Sequence, residues 1–170
     1  MTTSEDFSLI VNGSRRSVLD ALPGESLLFV LRERLGLVGS KNACEEGECG
    51  SCTVRLDGET VCSCLVLAAS VAGRRITTIE GLAAEAELAD VQQAFIDAGA
   101  VQGGCCTPGL LGAIDRLLDD HPDPEELTDD DLEQWTTAVI IRDDRNVVVT
   151  SGVKGKYVPL QWTDKHGRFA

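Results

Sequence analysis

Short apolar runs separated by glycine- and proline-bearing breaks dominate the first half of the chain. FSLIV at 7–11 is followed by Asn12-Gly13 and a second run around Arg16–Leu19. Asn-Gly between two such runs is a strong hairpin signal, because a two-residue hairpin turn needs positive φ at both central positions. Pro23-Gly24-Glu25 breaks the chain. Ser26 is placed to cap a helix whose apolar face is Leu27, Leu28, Val30, Leu31 and Leu35, and Gly36 ends it. A loop runs from Gly39 to Cys52. Thr53–Leu56, the Asp57-Gly58 turn and Thr60–Leu65 predict a second hairpin, and Arg75–Ile79 predicts one more strand. The expectation is a small mixed sheet with a helix across it.

After Gly81 the period changes. Leu88, Val91, Gln92, Phe95 and Ile96 recur at helical spacing, and Gly99 closes that segment. Thr107-Pro108 opens another helix with Leu110, Leu111, Ile114, Leu117 and Leu118 on one face, ended by Pro122 and Pro124. Thr128 with Asp131 opens a further short helix. Thr137–Ile141 and Asn146–Thr150 are β-branched runs around Asp143-Asp144-Arg145, which predicts a hairpin. From Gly152 to Ala170 there is little periodicity, as in a tail laid over a partner or a disordered end. The fold class is α+β, with a boundary between residues 80 and 85 that divides the chain into 1–82 and 83–170.

Composition narrows the class. The chain has 170 residues, 43% of them apolar, so a packed core is available, and aromatics are scarce at 4%. No apolar run approaches the ~20 residues that span a bilayer, so no membrane span is expected. MTTSEDFS lacks the basic and apolar regions of a secretory signal. The expected location is therefore a reducing compartment, the cytoplasm. A net charge of −13 argues against nucleic acid as a partner. Much of the acid lies between Asp115 and Glu133, read as a solvated surface rather than a docking face for a basic partner.

The candidate chemistry lies in the cysteines. Cys44, Cys49 and Cys52 stand in C-x4-C-x2-C spacing, with Cys64 following in VCSCL. This is the plant-type spacing of a 2Fe–2S cluster, which needs two thiolates per iron. Gly47 and Gly50 let backbone wrap closely and turn N–H groups toward sulfur. Structural zinc also takes four Cys, but usually from two C-x2-C knuckles, and only one is present. A disulfide framework does not suit seven cysteines without a signal peptide. Cys62 is an additional thiol; if its strand continues to Leu65 it shares a face with Cys64, and it is read as a small apolar filler.

The chain resembles the small iron–sulfur subunit of the molybdenum hydroxylases, the xanthine dehydrogenase and carbon monoxide dehydrogenase family. The matching pieces are VNG at 11–13, SLLFVLRERLGLVGSKNAC at 26–44, EEGECGSCTV, SCLVLA, ITTIEGLA at 76–83, VQQAF and CTPGLLGA, covering roughly residues 7–120. The resemblance implies a ferredoxin-like β-grasp 2Fe–2S domain over 1–82. A small helical domain, like the second 2Fe–2S-binding domain of relatives, follows over 83–170 and ends in a divergent hairpin and tail. Two partners are implied, a FAD-binding medium subunit together with a molybdenum-cofactor large subunit, and both of those cofactors lie on the partners. The resemblance carries the first cluster onto Cys44, Cys49, Cys52 and Cys64. It also places Gln102 at a position facing the molybdenum cofactor, a role that depends on the neighbouring cluster being kept.

The second cluster of the family does not carry over. Its ligands come from Gln-Cys-Gly-x-Cys-Thr-Pro-Gly and a later Cys-Arg-Cys. Here the first motif reads Gln102-Gly103-Gly104-Cys105-Cys106-Thr107-Pro108-Gly109, so only Cys106 matches a ligand, and no cysteine follows it. Cys105 does not substitute, since adjacent helical residues diverge by ~100°; it is read as a small buried apolar residue. His121 and His166 remain, but a lone His in an acidic loop ordinarily only titrates. A frame shift in the tail would not remove a thiol at position 103, so the loss reads as divergence, and one cluster is expected rather than two. The function expected is electron transfer toward a flavin within a multi-subunit oxidoreductase whose substrate site is on another chain. The alternative is a single-cluster ferredoxin-like carrier or structural adaptor that no longer serves molybdenum. No catalytic residue is expected on this chain.

Overall fold

Asn12 and Gly13 both take positive φ, 51° and 76°, and join β1 (Glu5–Val11) to β2 (Ser14–Ala21) as an antiparallel hairpin with Val11 opposite Ser14. The computed structural model describes residues 4–83, 87–97, 99–101 and 103–121, and the backbone of 139–142, 146–151 and 158–159. β3 (Thr53–Leu56) and β4 (Glu59–Cys62) form the second hairpin. β5 (Arg75–Thr77) lies between them, parallel to β1 and antiparallel to β3. The sheet order is β2-β1-β5-β3-β4. Mixed sheet and helices together make an α+β, ferredoxin-like arrangement.

Two strands are shorter than their patterns predict. β4 stops at Cys62 and a 3₁₀ turn, Ser63–Leu65, replaces its expected end. The reason is Ser63, whose fully buried hydroxyl donates to the Cys52 carbonyl at 2.6 Å and turns the chain inward. β5 stops at Thr77, and Ile79 begins another 3₁₀ turn, Ile79–Gly81. Here the Asn12 side chain accepts from Thr78 N at 2.9 Å and donates to Thr78 Oγ1 at 3.0 Å, replacing the ladder partner.

α1 (Leu27–Phe29) crosses the sheet, its first turn capped by Ser26 Oγ, which accepts from Phe29 N at 3.2 Å. It widens into a π-helical turn over Val30–Arg34, where Leu35 N reaches back to Val30 O at 3.0 Å. Leu27, Val30 and Leu31 sit at the centre of the first apolar core with Leu9, Val54 and Ile76. Complete burial of a Leu or Val contributes ~1.5–3 kcal/mol.

α2 (Asp90–Asp97) is shorter than the expected 88–99 segment. Leu88 and Ile96 are exposed, so the buried stripe is narrower than the pattern implied, Val91 and Phe95 alone. Gln92 begins the helix by accepting from Ala89 N at 2.9 Å and donating to Ile79 O at 3.2 Å. α3 (Thr107–Asp120) matches its pattern and packs Leu110, Leu111 and Ile114 against Val91 and Phe95 in a second apolar cluster.

α3 also lies against β3. A Cβ on Gly109 would run into the Gly50 carbonyl, so glycine permits this close approach. Arg55 on β3 pairs with Asp115 at 2.6 Å and with Asp119, while Arg116 pairs with Asp120 and with Glu59 at 3.4 Å. The reading of the acidic stretch as a solvated surface is therefore corrected at its start, where Asp115 and Asp119 serve the helix–sheet contact. Burial pushes the Asp115 carboxyl up from its ordinary value even with Arg55 beside it.

β6 (Val139–Arg142) and β7 (Asn146–Ser151) pair antiparallel, with Val139 opposite Val149. β8 (Val158–Pro159) adds to β7 with Thr150 opposite Pro159, a pairing that the unpatterned tail did not signal. Pro122, Pro124, the segment Thr128–Asp131, Trp135 and His166 lie outside the described residues. Among the described residues, no helix is long and apolar enough to cross a membrane.

Candidate metal centre

The cysteine loop leaves the end of the π-helical turn and returns into β3. Arg32 holds its entry, donating to Val38 O at 2.8 Å and Ser40 O at 2.6 Å. Lys41 N to Ser51 O at 2.9 Å closes its base. Within that frame Glu45, Gly47 and Gly50 have φ of 57°, 76° and 68°. A run of left-handed residues curls the backbone so that successive N–H groups face inward. Glu46 N and Cys49 N each lie 3.4 Å from Cys44 Sγ. These bonds, the one from Glu46 first, hold the Cys44 thiol down at about 7. Charge-assisted donors favour the thiolate, the form that binds metal.

Cys64 arrives by the 3₁₀ turn that ends β4. Its Sγ lies 3.4 Å from Cys52 Sγ. Cys52 is buried, yet its thiol is held down to about 5, by the Cys62 side chain foremost. Cys64 is pushed up to about 11 by burial and by Cys52. One thiol of the pair ionises at the other's expense, as two like charges in contact must. Cys62 is pushed well above the ordinary thiol range by its bond to Cys52 and by burial. Its Sγ lies 3.6 Å from Gly47 O, the S–H donating. The strand on which the same-face relation of Cys62 and Cys64 depends ends at Cys62, and the two are instead brought to a common neighbour, Cys52, by the turn that follows.

Cys49 N thus meets Cys44 Sγ and Cys52 Sγ meets Cys64 Sγ, so the four cysteines form two neighbouring pairs. Among the described residues, no three His, Cys, Asp or Glu side chains converge as a site for a single ion. Two pairs of thiols, three cysteines from the loop and Cys64 from the turn after β4, met by inward N–H groups, fit a two-iron cluster better than one tetrahedral zinc. Gly47 is required twice over: its φ is positive, and a Cβ there would meet the Leu65 side chain.

The second site is different. Cys106 precedes α3, partly buried, with its side chain making no cap bond. Gly103 faces open space, since a Cβ there would meet nothing within 4 Å. Cys105 is exposed, which corrects its reading as a buried apolar residue. It lies just after Gly104, whose φ of 78° turns the chain ahead of the helix. His121 is at the far end of α3, roughly 20 Å from Cys106 at ~1.5 Å rise per residue, and does not join it. Gln102 lies outside the described residues. Sequence reasoning missed Arg32, Ser63 and Leu65, which carry no local signal because each acts on a residue distant in sequence or on backbone.

The 2Fe-2S iron-sulfur cluster binding domain family matches residues 9–108, and the [2Fe-2S] binding domain family matches 78–145. The nicotinate dehydrogenase small FeS subunit of Eubacterium barkeri is 45% identical over 123 residues, 71% of this chain and 78% of that one. The chain belongs to the iron–sulfur subunits of the molybdenum hydroxylases. The xanthine dehydrogenase iron-sulfur-binding subunit of Escherichia coli O157:H7 is 50% identical over 100 residues, 59% of this chain and 62% of that one. The crystal structure of quinoline 2-oxidoreductase from Pseudomonas putida 86 superposes with a TM-score of 0.71 at 34% identity, covering 83% of this chain and 85% of that one. As an iron–sulfur subunit of an oxidoreductase, its work is electron transfer. The second family match spans a region in which Cys106 is the last cysteine of the chain.

Proposed function

We propose that this subunit holds one 2Fe–2S cluster on Cys44, Cys49, Cys52 and Cys64 and relays electrons from a molybdenum-cofactor large subunit toward a FAD-binding medium subunit. When bound, the cluster accepts and releases single electrons. The observation that carries the reading is the meeting of the cysteine loop, whose Glu46 and Cys49 N–H groups face Cys44, with Cys64 against Cys52. The chain's own contribution is to hold thiolates, to offset their charge with backbone dipoles, and to keep water from Cys52 by burial. The division into a ferredoxin-like domain, 1–82, and a helical domain, 83–170, belongs to the same proposal, supported by two separate apolar clusters. The cytoplasm is the proposed location, in keeping with seven free thiols. No substrate is assigned.

One observation favours a second reading, a single-cluster carrier or adaptor without service to molybdenum. Gly103, without a side chain, stands where the family motif has a ligand cysteine, and no cysteine follows Cys106. Metal analysis of the natively purified complex separates the two. The relay reading expects stoichiometric molybdenum and flavin with about two irons per copy of this chain. Isolation as a lone iron protein supports the second reading. Cys49→Ser should bleach the visible spectrum, and tightly bound zinc without acid-labile sulfide would overturn the assignment in either case.

A further inference from the structure

Cys62 is not one of the four ligands, yet it ends β4 beside the cluster loop, half-buried and opposite Thr53 in the ladder. Its thiol meets the loop at the Gly47 carbonyl, at 3.6 Å, as well as beside Cys52. We propose that Cys62 is a positioning residue: by donating its S–H to the Gly47 carbonyl, it fixes the Gly47–Glu48 peptide so that the opposite edge of that peptide faces the cluster ligands.

One planar unit transmits the effect. In a trans peptide the C=O and the following N–H point in opposite directions. Gly47 O and Glu48 N–H belong to the same plane. With the carbonyl taken up by Cys62, the Glu48 N–H points the opposite way, to the side where Glu46 N and Cys49 N meet Cys44 Sγ. Glycine at φ 76° has little intrinsic preference for this orientation, so something outside the loop must hold it. Leu65 packs over the Cα side of Gly47 and blocks one direction of rotation, but it offers the carbonyl no partner. Cys62 does. The single S–H proton serves one acceptor at a time, and in this proposal that acceptor is the Gly47 carbonyl rather than the neighbouring Cys52.

The consequence concerns the reduction potential. Reduction adds negative charge, which N–H donors to the ligand sulfurs stabilise, so a full set of N–H···S bonds raises the potential. Loosening the 47–48 peptide weakens one of them. The proposal rests on the cluster assignment above, which Cys49→Ser tests separately by bleaching.

The test compares Cys62→Ala, Cys62→Val and Cys62→Ser with the parent as purified holoprotein. Each is titrated potentiometrically with paramagnetic resonance of the reduced cluster, and exchangeable-proton couplings are counted after transfer to D2O. All three variants are expected to keep the parent's iron content. Ala and Val, which lack a donor, should both move the potential to more negative values and lose or weaken one exchangeable coupling. Ser, which retains a donor on the same Cβ, should lie at or toward the parent. Val at the parent potential would show that Cys62 is a volume filler and overturn the proposal. So would Ser as negative as Ala, or loss of iron in Ala and Val, which would make Cys62 a ligand.

Discussion

Cys44 would be an ordinary thiol in an extended chain; what changes it is a loop that can curl only because Gly47 is glycine. Its φ of 76° disfavours any residue with a Cβ, and the Leu65 side chain occupies the space such an atom would need. Gly47→Ala therefore carries two separable costs, ~1 kcal/mol of left-handed strain and a collision with Leu65. The variant should bind less iron and lose its visible absorbance faster in air than the parent. Adding Leu65→Ala should recover part of that loss, because it removes the collision and leaves the strain. A double variant no better than Gly47→Ala alone would show that Leu65 is not what confines the loop.

Among elements, α3 is the one whose position matters most to the loop, because Gly109 rests on the Gly50 carbonyl between Cys49 and Cys52. Backbone cannot move aside as a flexible side chain can. Gly109→Ala should lower stability by ~1–3 kcal/mol, typical of overpacking, and should alter the cluster's resonance spectrum. An unchanged spectrum and unchanged urea midpoint would mean that α3 does not bear on the loop. The link from Glu25, just ahead of α1, to the π-helical turn lends itself to a pH test. Glu25 accepts from Arg34 Nε at 2.6 Å, and this bond holds its carboxyl below the usual 4.5. A lowered carboxylate contributes stability above its unfolded value and loses it as pH falls through the folded one. Glu25→Gln should therefore lower the melting temperature by a constant amount above pH 4.5, and the gap should narrow below it. A gap that widens on acidification would reverse the assignment. Asp115 acts in the opposite sense, since its raised carboxyl is most favourable when protonated.

For the whole molecule, the question is whether an iron–sulfur subunit in which Cys106 is the last cysteine still assembles. Reduced protein should show one cluster signal. Two distinct signals with about four irons per chain would return a second cluster to it. Removing residues 136–170 should destabilise the second half or abolish subunit binding and leave the visible spectrum of the Cys44–Cys64 cluster intact, because none of its ligands lies there. A truncated chain as stable as the parent that still binds its partners would make β6, β7 and β8 passengers.

Much of the site was legible in the chain itself. Ligand spacing is a covalent property, so C-x4-C-x2-C with Cys64 to follow names the cluster type before any folding. Asn12-Gly13, Ser26 and Gly36 act within a few residues of themselves, where dihedral preference and capping are local physics, and the first hairpin and helix start follow from them. The ends of β4 and β5 were not legible, because Ser63 and Asn12 terminate strands through partners 11 and 66 residues away. The continuation of β4 to Leu65 was misread for the same reason, since the fold ends it at Cys62. Nor could charge patterning show that Asp115 and Asp119 are claimed by Arg55 across the helix–sheet contact. A periodic pattern reports which face of an element is apolar; which backbone carbonyl or arginine it meets depends on chain distant in sequence, and only packing brings that chain near.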